Sequence, residues 1–160
     1  MTSKGAVLAG RILAELQELS ALVQRAEQGW AKARESRDDF FFDGVALNLH
    51  GFYSGLERIF ERIASAIDET VPEGANWHQE LLSQMAIEIP GVRPAVISTS
   101  LKEELESYRG FRHIVRNVYS YHLRPEKMAP LMEKLRAVFV SAEKDITAFA
   151  EFLQSIRQSS

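Results

Sequence analysis

The fold class follows from residues 45–67, which read Val45-Ala-Leu-Asn-Leu-His-Gly-Phe-Tyr-Ser-Gly-Leu-Glu-Arg-Ile-Phe-Glu-Arg-Ile-Ala-Ser-Ala-Ile67. Large apolar residues recur here every three or four positions, at Val45, Leu49, Phe52, Tyr53, Leu56, Ile59, Phe60, Ile63 and Ile67. This spacing is typical of an amphipathic helix with a wide buried face. The opposite, solvent-facing side is predicted to carry Glu57, Arg58, Glu61 and Arg62. The pattern predicts a helix over residues 40–69.

The ends of this helix are marked by residues that disfavour helical backbone or satisfy its terminal N–H groups. Asp38 or Asp39 can cap the start. At the other end, Val71-Pro-Glu-Gly74 stops the helix, since a residue before proline is pushed out of the α region.

The same helical period continues on both sides of this stretch. A first helix is predicted over residues 5–36 and a short one over residues 77–88, the latter capped by Asn76. A fourth helix is predicted to open at the capping box Ser100-Leu-Lys-Glu103 and to close at Arg124-Pro125. A last helix runs from Glu126 to about 156. With no hairpin turn and no period-two alternation, we predict one all-α domain over 1–160, an up-and-down bundle of about five helices.

Composition sets limits on the function. Hydrophobic residues make up 46% and charged residues 26% of the 160 positions, which is ordinary for a soluble globular protein. A formal net charge of −3 argues against coating nucleic acid by bulk electrostatics. The absence of cysteine excludes disulfides, a thiolate nucleophile and a cysteine zinc site. No apolar run approaches the roughly 18 residues of a membrane span, and the N-terminus lacks a signal-peptide core, so we expect a cytoplasmic protein.

Polar chemistry concentrates in residues 108–123, which contain three arginines, two histidines and three tyrosines. Wound as a helix, the segment is predicted to bury a stripe formed by Phe111, Ile114, Val115 and Val118. Its other side carries Arg109, Arg112, His113, Arg116 and Asn117. Arginine offers a planar fork of donors to phosphate, and histidine can exchange a proton near neutral pH. The sequence therefore predicts a phosphate-binding helix face that points away from the packing seam.

The segment Arg112-His-Ile-Val-Arg-Asn-Val-Tyr119 resembles the motif of the HEPN domain in HepT-like ribonuclease toxins, which reads Arg, four residues, His, any residue, Tyr. The aromatic-rich second helix, a Trp77-His78 segment and a last helix after Leu123-Arg-Pro125 agree with that family. The resemblance implies a HEPN-like helical bundle that forms a homodimer and joins two motifs in one cleft. It also implies metal-independent cleavage of RNA without a cofactor, and control by a nucleotidyltransferase antitoxin, which in some systems adenylylates the motif tyrosine.

Position by position, the resemblance matches Arg112 to the motif arginine and Tyr119 to the regulatory tyrosine, but Asn117 stands where the histidine belongs. Asparagine can position a substrate but cannot act as a general acid or base near neutral pH. His113, at i, i+4 from Asn117, is the preferred replacement. The alternative is His122, which with Arg116 fits a looser motif but lies about 120° around an ideal helix from Arg116. Arg112 and Arg116 would hold the phosphate.

Plainer interpretations of these residues remain open. The arginines can be surface charges paired with glutamates of a neighbouring helix or of residues 104–106, and His113 can be structural. Asp43 and Asn48 of the second helix can face the motif helix as supporting partners. No HxxxH or HExxH spacing indicates a metal site. Besides the ribonuclease toxin, we consider a catalytically silent HEPN-like dimer that binds RNA, a nucleotide or a nucleotidyltransferase, and a plain helical interaction subunit.

Overall fold

The computed structural model describes residues 4–117 and 123–159. These form five α-helices: α1 (Lys4–Ser36), α2 (Asp39–Ile63), α3 (Trp77–Met85), α4 (Thr99–Asn117) and α5 (Pro125–Ser159). The chain continues from α2 into a short π-helical segment, Ala64–Asp68. Within the described ranges there is no strand, and β pairing is limited to one antiparallel bridge between Ile89 and Arg93. The predicted all-α helical bundle is confirmed.

The long helices α2 and α5 each run antiparallel to α1. Two residues join α1 to α2, and Arg58 of α2 pairs with Glu15 of α1 at 2.8 Å. Arg136, near the start of α5, pairs with Glu27, in the second half of α1. The short helix α3 packs against α2 and α4. This placement brings the first turn of α3 beside the C-terminal half of α4, where the candidate site lies.

The predicted apolar seams form a continuous core. Every large apolar residue predicted for α2 from Val45 to Ile63 is buried. The apolar residues at helical spacing on α5 are buried as well, namely Leu131, Leu135, Val138, Ala142, Ile146, Phe149 and Leu153. Gly55 lets α1 and α2 approach closely, because a Cβ at this position would lie 2.5 Å from Leu19 Cδ2. In α2 and α5 the periodicity therefore identified the buried residues correctly.

The helix starts agree with the prediction at α2 and differ at α4. Asp38 caps α2, its Oδ1 accepting a hydrogen bond of 2.9 Å from the N–H of Phe40. The predicted cap at Ser100 is wrong, because α4 already begins at Thr99. The cap is Ser98, whose Oγ accepts from the N–H of Leu101 at 3.0 Å. The N–H of Ser98 also donates to Asp145 Oδ2 at 3.0 Å, so a contact with α5 selects this start.

A buried ion pair ties the end of the π-helical segment to the loop after α3. Arg93 Nε and Nη2 donate to the two carboxylate oxygens of Asp68 at 2.6 and 2.8 Å, and both side chains are almost fully buried. The remaining Arg93 donors reach the carbonyl oxygens of Gln84, Ile87 and Pro94. Gln84 Nε2 adds a hydrogen bond of 2.7 Å to Asp68 Oδ2. This network holds the loop that leads into α4.

No helix formed by the described residues is both long enough and apolar enough to cross a bilayer.

Candidate functional site

A cationic groove of about 420 Å³ lies between the first turn of α3 and the C-terminal half of α4. We call it the α3–α4 groove. The charged, polar and aromatic side chains that line it are Trp77 and His78 from α3 together with Arg109, Arg112, His113, Arg116 and Asn117 from α4. The structure thus brings four of the sequence-predicted site residues, those from 112 to 117, to one surface, and their chemical roles remain predictions.

Arg112 points toward the bundle and not away from it. Its Nε donates to Ser54 Oγ on α2 at 2.8 Å, its Nη2 lies 3.7 Å from Glu57 Oε1, and its side chain is only 15% exposed. The predicted orientation is wrong here because Arg112 finds polar partners on α2. The predicted buried stripe holds at Phe111, which is buried, and in part at Val115, which is half-buried, but it is wrong at Ile114, which is exposed. Val118, its fourth member, lies outside the described residues.

Glu57 is the residue whose surroundings differ most from the sequence prediction. It was placed on the solvent-facing side of α2, yet it is 3% exposed. The start of α3 covers this part of α2 and brings His78 Nδ1 to 2.8 Å from Glu57 Oε2. The carboxylate therefore lies between His78 and Arg112, with one oxygen facing each of them. A buried carboxylate is stable only when it is paired and hydrogen-bonded in this way.

The outer part of the groove is more open. His113 and Arg116 are exposed, and Arg116 forms no ion pair with the residues that the structure describes. Asn117 Nδ2 donates to the carbonyl oxygen of His113 at 2.7 Å, so its side chain turns back along its own helix. Arg109 pairs with Glu106 at 2.8 Å. The plain ion-pair interpretation thus describes Arg109 and Arg112, whereas Arg116 presents its charge to the groove.

Three residues at or beside the groove were not predicted to take part, namely Ser54, Glu57 and His78. Of the two expected partners on α2, Asn48 lines a different cavity, between α1 and α2. The alternative proton carrier His122 and the regulatory Tyr119 lie outside the described residues. The Trp77-His78 pair was noted only as part of a family pattern, and nothing in its spacing indicated a contact with Glu57.

The arginines of the groove act on a histidine of α2. Burial, followed by the positive charges of Arg112 and Arg116, lowers the pKa of His50 below 6.5, while Glu57 acts in the opposite direction. Burial and the nearby Glu57 charge also raise the pKa of Glu61. The pKa shifts of His50 and Glu61 therefore both favour the neutral form of the side chain.

We predict that the NMR titration of His50 has its midpoint below 6.5, and that Arg112→Ala or Arg116→Ala raises it by removing a positive charge. Because the folded pKa is depressed, the unfolded chain binds the proton more readily. The stability associated with neutral His50 is therefore present above pH 6.5 and is lost as the pH falls through the folded pKa. Arg136→Ala, on α5, serves as the control and leaves the midpoint unchanged. A wild-type midpoint above 6.5 contradicts the prediction.

Comparisons with known proteins agree with the helical architecture. A family model described as HepT-like protein matches residues 44–153, which is more than half of the chain and contains the whole α3–α4 groove. No curated protein and no solved structure matches the chain. Among the described residues, no cluster of three or more histidine, aspartate or glutamate side chains is placed to hold a metal ion.

Proposed function

Because the chain belongs to the HepT-like protein family, we propose that it acts on RNA as a metal-independent endoribonuclease toxin. The observation that carries this proposal is the α3–α4 groove, in which three arginines and two histidines line one cavity. Guanidinium groups bind phosphate oxygens through paired hydrogen bonds, and imidazoles transfer protons near neutral pH. A strand of RNA supplies the phosphate and, in its 2′-hydroxyl, an internal nucleophile.

In this proposal some residues of the groove stabilise the charge on the phosphate and others transfer protons. Arg112 and Arg116 hold the phosphate and stabilise the negative charge that grows on its oxygens. His113 transfers a proton, and Asn117 positions the substrate by hydrogen bonds. His122 is the alternative proton carrier, and Tyr119 is the control point.

The assembly and partners that we propose follow from the family. A homodimer would place two α3–α4 grooves in a common cleft. The partner that controls the toxin would be a nucleotidyltransferase antitoxin acting at Tyr119. We further propose a cytoplasmic location, where RNA and the antitoxin are present, and a single domain over the whole chain.

A second candidate function is a catalytically silent dimer that binds RNA, a nucleotide or a nucleotidyltransferase. Asn117 favours it, because asparagine replaces the one motif residue that can transfer a proton. In this candidate the arginines bind phosphate without cleavage.

Binding and cleavage can be separated on one short single-stranded RNA. The chain has two tryptophans: Trp77 lines the groove, whereas Trp30 packs against Phe42 between α1 and α2. In Trp30→Phe, RNA is expected to quench the remaining Trp77 fluorescence saturably, since bases stack on aromatic rings. The matched variant Trp77→Phe, which retains Trp30, should show no change. A gel of the same mixtures, with EDTA present, records cleavage.

The ribonuclease proposal predicts both quenching and product. Quenching without product supports the silent dimer, and Asn117→His is then expected to create cleavage by restoring the motif histidine. A chain that neither binds nor cleaves this RNA contradicts the ribonuclease proposal and the RNA-binding form of the silent dimer.

A further inference from the structure

His78 and Glu57 form a second functional unit in the groove, which the family motif does not contain. We propose that His78 is the general base that removes the 2′-hydroxyl proton of the RNA and that Glu57 is the residue that positions it. The inference rests on the proposed ribonuclease function and deepens it. It is carried by the 2.8 Å contact between His78 Nδ1 and Glu57 Oε2 and by the place of His78 on the groove wall.

The contact with Glu57 decides which nitrogen of His78 is available. A carboxylate oxygen only accepts hydrogen bonds, so His78 Nδ1 carries a proton and donates a hydrogen bond to Glu57 Oε2. The lone pair of the neutral ring then lies on Nε2, the atom that accepts a proton from substrate. A carboxylate that holds the ring in this tautomer and stabilises the imidazolium is the arrangement found in hydrolytic triads.

The position of His78 suits contact with a substrate. Its side chain is 24% exposed, whereas Glu57 is 3% exposed, so the imidazole is accessible and its carboxylate partner is shielded. The ring of Trp77 lies against the imidazole with 3.6 Å between ring centroids, which restricts its rotation. Across the groove are Arg112, which shares Glu57 with His78, and the exposed His113 and Arg116. A phosphate held by these arginines would lie beside His78.

Cleavage by the 2′-hydroxyl needs a base and an acid. His78 Nε2 accepts the proton of the 2′-hydroxyl as its oxygen forms a bond to phosphorus. The bond between phosphorus and the 5′-oxygen breaks, and the leaving oxygen takes a proton from the protonated His113. The products are a 2′,3′-cyclic phosphate and a 5′-hydroxyl, and the two histidines return to their starting states by exchanging a proton with water. His78 thus supplies the proton carrier that Asn117 cannot.

Charges on two helices surround His78. From α2 these are Glu57 and Glu61, and from α4 they are Arg109, Arg112, His113 and Arg116. Glu57 is in direct contact with the ring, so its negative charge stabilises the imidazolium that forms when His78 accepts the 2′-hydroxyl proton. Replacing this carboxylate by an amide removes the stabilisation at the step in which the proton moves.

The test compares His78→Asn, Glu57→Gln and Ser54→Ala with wild type on one RNA substrate. Asparagine places an amide nitrogen close to the position of Nδ1, so the contact with Glu57 can persist while the base is absent. We expect His78→Asn to lower kcat/KM by roughly 100-fold or more, within the usual range for general acid–base catalysis. Its affinity for an uncleavable analogue with a 2′-deoxy scissile nucleotide should stay within about threefold of wild type. Glu57→Gln should lower kcat, whereas its affinity for the same analogue should stay within about threefold of wild type.

Ser54→Ala separates the effect of Glu57 on His78 from its effect on Arg112. It removes the other hydrogen-bond partner of Arg112 and leaves the His78 contact in place, so it should lower kcat less than Glu57→Gln does. The inference is overturned if wild type cleaves and His78→Asn retains at least a third of its kcat/KM, or if His78→Asn loses affinity for the analogue in proportion to its loss of rate. A wild-type protein that does not cleave overturns the proposed function together with this inference. Cleavage by both wild type and His78→Asn overturns only the inference, so the two failures can be distinguished.

Discussion

Arg93→Met is expected to lower the free energy of unfolding by about 3–5 kcal/mol, the usual cost of leaving a buried charge without its partner. Asp68 and Arg93 are almost fully buried, and the guanidinium contacts both carboxylate oxygens. Removing it leaves the Asp68 carboxylate in the interior with the Gln84 amide as its remaining side-chain partner. The loss is a large part of a typical net stability of about 5–15 kcal/mol.

Chemical denaturation at 25 °C measures this prediction. The double variant Asp68→Asn/Arg93→Met should be more stable than Arg93→Met alone, because it removes the uncompensated charge. It should not return to the wild-type value, because the carbonyl oxygens of Gln84, Ile87 and Pro94 still lose their donor. Arg58→Ala, which breaks the exposed pair with Glu15, is the control and should cost less than about 1 kcal/mol. An Arg93→Met protein within 1 kcal/mol of wild type would refute the prediction.

Arg112→Ala is expected to lower kcat/KM for RNA cleavage by about 100- to 1,000-fold, as removal of a donor that stabilises transition-state charge commonly does. The guanidinium is held by Ser54 and Glu57 before substrate binds, so it requires little reorganisation during the reaction. Its side chain is largely shielded from water, which strengthens its interaction with a developing negative charge.

Kinetics of the purified variants on the same RNA measure this effect. Arg112→Lys keeps the charge and loses the planar fork, so we expect an intermediate rate. Arg136→Ala removes an arginine on α5 whose partner is Glu27, and it should cleave like wild type. Thermal unfolding of Arg112→Ala separates a loss of function from a loss of fold. A folded Arg112→Ala protein that cleaves RNA as fast as wild type contradicts the assigned role.

Much of the fold could be predicted because helix periodicity is a local property. Apolar residues at helical spacing form the buried face of α1, α2 and α5, as Leu8, Ile12 and Leu16 do in α1. The ends were harder to predict, since they depend on contacts with distant residues. Ser98 and not Ser100 caps α4, and the neighbouring hydrogen bond to Asp145 comes from a helix 47 residues away. The spacing of apolar residues within one helix does not indicate such a contact with another helix.

The candidate site was predicted in part for the same reason. The residues of α4 share one helix, so their spacing alone brought Arg112, His113, Arg116 and Asn117 together. Glu57 has the sequence surroundings of a solvent-facing residue, between a buried leucine and an arginine. Its burial depends on α3, whose His78 is 21 residues away. The direction of Arg112 likewise depends on Ser54, 58 residues away on α2.

The most direct test of the central claim is a gel of total RNA and tRNA incubated with the purified wild-type chain in EDTA, alongside Arg112→Ala and His113→Ala. The ribonuclease account predicts discrete products with wild type and little or none with either variant. Intact RNA in the wild-type lane, from protein shown to be folded, would contradict that account and leave the α3–α4 groove as a binding surface.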